Sequence, residues 1–215
     1  MSTIDASELL RPGLLEGVSI LLAGAPASND AHGSLGHAVR GACAALGARV
    51  CECQLSCDGP DGPDETTIER AAQDAVERAL ADGGSVESLV VDCASMFARD
   101  RRDARAALRV CLDLSWNVTR AVAGGAFLPD GRGGRVVYLA PPADGGEYAD
   151  AARAGLENLA RTLSIEWARH GITTVAIAPG AATAGEAAAL TAYLASPAGA
   201  YFSGCLLDLR GVPGA

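Results

Sequence analysis

Short apolar segments alternate with longer helical segments along most of the chain, and this alternation constrains the fold more than any other feature. Each apolar segment has the length of a strand buried on both faces. Strands separated by helices need crossover connections, which place the strands in parallel. We therefore predict an α/β protein with a doubly wound, mostly parallel sheet and helices on both faces, in three αβα layers. The predicted strands are 18–24, 48–54, 88–94, 135–140, 172–178 and 205–209.

The helical segments carry apolar residues at helical spacing and end at recognisable stop signals. Gly47 ends the first helix, and Asp64 is a suitable N-cap for the second. A chain of 215 residues can bury one sizeable core. We predict an N-terminal extension over 1–16 and a single domain over 17–215. The predicted helices are 35–46, 64–81, 103–123, 149–170 and 186–194.

Composition excludes several classes of function. The net charge of −9 repels nucleic-acid backbones, so nucleic acid is not an expected partner. The N-terminus lacks the features of a signal peptide, and no apolar run reaches the length of a membrane span, so we predict a soluble, cytoplasmic protein. The seven cysteines include no Cys-x-x-Cys pair and have no nearby histidine at ligand spacing. We therefore predict buried free thiols and no metal site.

Several motifs occur in an order that is informative as a set. Gly24 ends the first predicted strand, and Ser34-Leu-Gly36 opens the following helix. Asp92-Cys-Ala-Ser95, Arg153-Ala-Gly-Leu156 and Ile177-Ala-Pro-Gly180 follow. Together these segments resemble the short-chain dehydrogenase/reductase family. The resemblance implies a Rossmann-like fold and hydride transfer between a nicotinamide and a carbonyl or alcohol. It also implies a Tyr acid/base, a Lys four residues later, and supporting Ser and Asn residues.

None of those four catalytic residues stands at its matching position. The Lys position is Arg153, and the Tyr position, four residues earlier, is Ala149. The Ser position is Pro141 or Ala140, neither of which offers a hydroxyl, and the Asn position is Asp113. Tyr148 lies one residue early, which separates it from Arg153 by about 140° around a helix instead of about 40°. The resemblance therefore implies a degenerate site with no catalytic residue, and Tyr148 is the displaced candidate.

The nucleotide positions are also altered. The resemblance places cofactor binding at Gly24, Ser34 and Gly36, but a long segment containing Asp30 separates the two glycines. In the family these glycines bring backbone N–H groups and a helix N-terminus to the pyrophosphate. An aspartate there would repel a phosphate. Gln54 stands where an acid often binds the ribose, and Asp92 replaces an Asn. We expect no bound cofactor.

These losses favour a non-catalytic subunit, a pseudoenzyme that acts as a structural or regulatory partner of an active homologous dehydrogenase. Segment 181–185 is also too short for a substrate lid. The family forms oligomers through two long helices, and 103–123 and 149–170 match them. Their apolar residues predict an interface with a homologue or with a second copy: Leu108, Cys111, Leu112, Leu114, Trp116, Leu156, Leu159, Leu163 and Trp167.

Two alternatives remain open at this point. The first is an active oxidoreductase that uses NADP or NAD on a carbonyl or alcohol, with Tyr148 or Tyr138 as the acid. The second is a small-molecule sensor that uses the emptied cleft, for which the sequence offers no positive feature.

Overall fold

In the computed structural model, six parallel strands form one sheet in the order β2-β1-β3-β4-β5-β6. The structure describes residues 6–25, 34–55, 65–83, 85–99, 103–129, 131–181 and 183–210. The predicted α/β architecture with helices on both faces of a parallel sheet is confirmed. The strands are β1 Ser19–Gly24, β2 Arg49–Gln54, β3 Ser88–Asp92, β4 Gly134–Leu139, β5 Ile172–Ala178 and β6 Cys205–Asp208.

Seven α-helices connect or flank these strands among the described residues. Two of them, α1 and α4, are short and were not predicted, because each is too short to show a helical period. The helices are α1 Ala6–Leu9, α2 Leu35–Ala45, α3 Glu65–Gly83, α4 Cys93–Arg99, α5 Ala104–Val122, α6 Ala149–Glu166 and α7 Ala184–Ala195. The helix predicted over 149–170 is shorter, since α6 ends at Glu166 and a 3-10 turn spans Ala168–His170.

The core consists of two layers, one on each face of the sheet. Helices α3, α5 and α6 contribute to the first layer, which contains Tyr138, Leu114 and Leu156. Helices α1, α2 and α7 contribute to the second, which contains Leu15 and Val39. In the N-terminal segment, Ala6 and Leu15 belong to this second layer. The Leu15 N–H also donates to the Leu46 carbonyl at 2.9 Å. The N-terminal segment is thus packed against the sheet domain from Ala6.

The cysteines are distributed through this core. Cys43, Cys53, Cys93 and Cys111 are buried free thiols, and burial raises the pKa of Cys43 to about 12 and that of Cys53 to about 11. Among the residues described, no group of side chains has the makings of a metal site. Cys57 lies outside the described residues. In the same part of the chain, no helix combines the length and apolarity needed to cross a membrane.

The chain order of the strands reverses at one place. Strand β1 pairs with β2 on one side and with β3 on the other. In open α/β sheets, ligands bind in the crevice outside the carboxyl ends of the strands at such a switch point. The fold therefore predicts a ligand site beside the residues that end β1, β2 and β3.

Candidate functional site

At the switch point, the last residues of three neighbouring strands lie side by side. Gly24 of β1 lies in register with Gln54 of β2 and with Asp92 of β3. Gln54 is exposed at the sheet edge, whereas Asp92 is only 5% exposed. The segment that contains Asp30 lies outside the described residues. Of the three described residues that end these strands, Asp92 is the one that carries a charge.

The Asp92 carboxylate lies against the first turns of two different helices. The Ser95 N–H of α4 donates to Asp92 Oδ1 at 3.0 Å, and Oδ2 lies over Gly36 of α2. Burial raises the pKa of Asp92, and the Ser95 N–H and hydroxyl, with the backbone N–H groups of Gly36 and Ala94, oppose that rise. The carboxylate thus joins the end of β3 to the first turns of α2 and α4.

Helix α2 begins at a side-chain cap. Ser34 is the N-cap, and its Oγ accepts from the His37 N–H at 3.2 Å. The Gly36 N–H is close enough to Asp92 to lower the pKa of its carboxyl. A Cβ atom added at Gly36 would overlap Asp92 Oδ2 and contact Asp92 Cγ at 3.2 Å. Gly36 is therefore required for the close approach of the carboxylate to the helix.

Ser95 extends this contact to the end of β1. Its Oγ donates to the Asp92 carbonyl at 2.8 Å and accepts from the Ala25 N–H at 3.2 Å. A Cβ at Gly24 would lie 3.1 Å from both Asp92 Cβ and Ser95 Oγ, which leaves little free space. We define Asp92, Ser95, Gly24 and Gly36 as the switch-point cluster. All four residues are held by contacts within the chain.

Arg153 occupies the second part of the site, at the carboxyl ends of β4, β5 and β6. Its side chain is 4% exposed. Nη1 donates to the carbonyls of Pro141 at 3.3 Å and Pro179 at 3.4 Å, and Nη2 lies 3.5 Å from Asp208 Oδ1. Burial and the nearby Arg210 lower the pKa of Arg153, while Asp208 opposes that shift. The guanidinium therefore links three strand ends through groups of the same chain.

A chain of charges continues from Arg153 to the surface. Asp208 accepts from Arg210 Nε at 2.9 Å and 2.8 Å, which lowers the pKa of Asp208. Arg210 Nη1 in turn lies 3.9 Å from Asp150 of α6. Asp208 and Arg210 were not expected at the site from the sequence. The position of Asp208 at the carboxyl end of the last strand is the signal that could have identified it.

The inward face of α6 carries Ala149 and Arg153 together. Both residues are buried, along with Ala152 and Leu156 on the same face. Tyr148 lies outside the helix, is 43% exposed, and has a left-handed backbone with φ of 65°. The structure therefore places the methyl group of Ala149 on the same buried face of α6 as Arg153, whereas the Tyr148 side chain is partly exposed to solvent.

Two other predicted site residues lie away from the strand ends. Asp113, at the predicted Asn position, is exposed on α5, where its carboxylate pairs with Arg109 Nε at 3.4 Å. The α5 thiol that approaches the end of β3 is Cys111, which donates to the Cys93 carbonyl at 3.6 Å. Tyr138, the other candidate acid, lies in the core. Its ring is fully buried and its hydroxyl donates to Thr119 Oγ1 at 3.0 Å.

Pro141 does lie at the site, but only its carbonyl contacts Arg153. Its side chain offers no hydroxyl, as predicted. The stretch after β5 is short as well, since α7 begins at Ala184 and residue 182 lies outside the described residues. Five residues therefore separate β5 from α7.

No protein-family profile and no curated protein matches the sequence. Solved structures match it over nearly their full lengths. One is a citronellol catabolism dehydrogenase of Pseudomonas aeruginosa PAO1, with a TM-score of 0.70, 25% identity, and coverage of 94% of this chain and 96% of that one. A short-chain dehydrogenase of Mycobacterium smegmatis has a TM-score of 0.70, 21% identity, and coverage of 100% and 98%. The chain has the fold of the short-chain dehydrogenases. Hydroxysteroid dehydrogenase of Escherichia coli shares this fold, with a TM-score of 0.64, 18% identity, and coverage of 93% and 98%.

A short-chain dehydrogenase fold implies NAD or NADP as the cofactor, so the residues at the switch point can be tested against that group. A pyrophosphate would need free backbone donors at the start of α2 and space above Gly36. That space is taken by the Asp92 carboxylate, since a Cβ at Gly36 would overlap Oδ2, and its negative charge faces the start of the helix. The switch-point cluster does not fit a dinucleotide pyrophosphate at this helix terminus.

Proposed function

We propose that this chain is a non-catalytic member of the short-chain dehydrogenase family and acts as a structural or regulatory partner of an active homologous dehydrogenase. The observation that carries the proposal is the environment of Arg153. A basic residue at this position would act on a substrate or cofactor only through donors aimed into a cleft. Here Nη1 is engaged by two backbone carbonyls, while Nη2 is buried, makes no hydrogen bond among the described residues, and has the carboxylate of Asp208 3.5 Å away.

The neighbourhood of Arg153 supports the same conclusion. General acid catalysis needs a titratable hydroxyl within hydrogen-bond reach of the reacting atom. Ala149 supplies none, and Tyr148 precedes the helix in a left-handed conformation and is 43% exposed. Tyr138 is buried, and its hydroxyl donates to Thr119 of α5. Of the two tyrosines proposed for an active oxidoreductase, Tyr148 alone is accessible enough to be tested.

The surface for the proposed partner lies on α5 and α6. These helices pack closely, because a Cβ at Gly155 would lie 2.8 Å from Leu112 Cδ2. Much of the apolar surface expected to face a partner is used within this chain: Cys111, Leu114, Leu156 and Leu163 are buried, and Leu108, Leu112, Leu159 and Trp167 pack against the core. Trp116 remains 38% exposed and Ile165 79% exposed. These two side chains are the apolar contacts that we assign to the partner.

The proposal predicts that Tyr148→Phe does not affect catalysis by the complex. The chain would be co-expressed with a homologue from the same genome that retains an intact Tyr-x-x-x-Lys, and the turnover of the purified complex would be measured. We expect activity within about twofold of wild type, because the Tyr148 hydroxyl contacts no reacting group. The matched control is the Tyr→Phe change in the homologue, which should abolish turnover.

Two results would contradict the proposal. A hundredfold loss of turnover with Tyr148→Phe, about 2.7 kcal/mol of barrier, would favour an active oxidoreductase with a displaced acid. Light scattering that finds this chain monomeric and unbound in the presence of the homologue would remove the partner role.

A further inference from the structure

We infer that the Asp92 carboxylate is a built-in substitute for a phosphate group at the N-terminus of α2, so that the chain holds its switch point together without a nucleotide. The inference rests on the switch-point cluster alone and does not depend on the partner role proposed above. It assigns to Asp92 a function in place of the ligand that the fold implies.

The first step of the argument concerns hydrogen-bond donors. The N–H groups in the first turn of a helix have no partner within the helix and attract anions. In α2, the His37 N–H donates to Ser34 Oγ, and the Asp92 carboxylate lies over Gly36, the preceding residue of the same turn. A phosphate that approached this turn would meet a carboxylate of the same charge.

The second step concerns space. The Asp92 carboxylate lies so close to Gly36 that a single added methyl group would overlap Oδ2. A Cβ at Gly24 would lie 3.1 Å from Asp92 Cβ and from Ser95 Oγ, so an added atom there would need these neighbours to shift. The position where a phosphate would approach the backbone is therefore filled by the buried side chain of Asp92 and the half-buried side chain of Ser95.

The third step distinguishes Asp92 from an ordinary helix cap. Asp103 is such a cap: it is exposed and accepts from Arg105 N–H and Ala106 N–H of the helix that it precedes. Asp92 instead extends from the end of β3 to a helix that begins after a different strand. Asp92 thus connects α2 to β3, as a bound phosphate connects these elements in a nucleotide site.

The test uses Asp92→Asn in the full chain, with inorganic pyrophosphate as the probe. An amide has one acceptor oxygen where the carboxylate has two, so α2 or α4 loses its acceptor and the negative charge disappears. Calorimetric titration should show binding by the variant at least about tenfold tighter than by wild type. Asp103→Asn is the matched control, because it makes the same change at an exposed helix start, and it should bind no better than wild type. Asp92→Ser provides a second variant with more space for the probe.

Each outcome decides the inference. Tighter binding by either Asp92 variant, or folding of a variant that pyrophosphate restores, supports it. Wild-type protein that binds pyrophosphate as tightly as the variants overturns it, since the carboxylate would then exclude nothing. Folded variants that bind no better than Asp103→Asn also overturn it, as do unfolded variants that pyrophosphate does not restore. None of these results bears on association with a homologous dehydrogenase.

Discussion

Replacing Arg153 with Met is expected to lower the free energy of unfolding by about 3 kcal/mol, because two backbone carbonyls lose a charged donor and an ion pair is broken. The affected groups are the carbonyls of Pro141 and Pro179 and the carboxylate of Asp208. Arg210 still pairs with Asp208, which keeps the loss below that of a completely orphaned charge. For a domain of this size the midpoint of thermal unfolding should fall by about 6–12 °C.

Arg161→Met is the matched control for this measurement. Arg161 lies on the same helix, and its guanidinium is 62% exposed and pairs with Glu157 at 2.7 Å. Exposed pairs of this kind contribute about 0.5 kcal/mol or less, so the control should unfold almost as the wild type does. Denaturant unfolding measures both variants. A loss below about 1 kcal/mol for Arg153→Met would show that the guanidinium does not hold the strand ends together.

Gly36→Ala is expected to destabilise the protein by about 2 kcal/mol, because the new methyl group overlaps a buried carboxylate. The relevant contact is with Oδ2 of Asp92. Gly41→Ala is the control on the same helix: a Cβ there meets nothing within 4 Å, so this variant should gain up to about 1 kcal/mol from helix propensity.

A double-mutant cycle makes the Gly36→Ala prediction specific. In an Asp92→Ala background the overlap is absent, so Gly36→Ala should cost nothing or stabilise the protein slightly. The unfolding free energies of the four proteins give the coupling, for which we expect about 2 kcal/mol. Equal costs of Gly36→Ala in both backgrounds would mean that Asp92 does not lie over this glycine.

The strands and long helices could be predicted from the sequence because their signals are local. Each strand is a short apolar run, and α2 ends before Gly47, a glycine with φ of 97° that permits the helix to stop. The reversal of strand order and the pairing of β1 with both β2 and β3 follow from packing between segments that are far apart in the chain. The predicted architecture was therefore correct, whereas the contacts at the strand ends required the structure.

At the site, the sequence predicted individual residues but not the contacts between them. Asp92 and Gly36 were each identified as altered nucleotide positions, yet nothing local indicates that one side chain lies over the other. Asp113 is exposed on α5, whereas Cys111, two residues earlier and about 200° around the helix, is buried. The apolar pattern of the sequence did not indicate which of the two faces the core.

The exposed apolar surface of α5 and α6 is smaller than the sequence predicted. Apolar residues on more than one side of α5 and α6 predicted surplus surface for an interface. Most of them are used instead where the two helices pack on each other and on the sheet, because close packing at Gly155 brings Leu112 inward. Periodicity identifies apolar faces but does not distinguish a neighbour in the same chain from a partner.

Titration of the wild-type chain with NAD(H) and NADP(H) tests the central claim most directly, namely that this chain's own charged side chains occupy the positions where a dehydrogenase of this fold binds its cofactor. Isothermal calorimetry should be run beside an active dehydrogenase of the same fold as a positive control. The account predicts no binding tighter than about 1 mM, or −4 kcal/mol, for any of the four nucleotides. A dissociation constant of about 10 μM or tighter for one of them would contradict it.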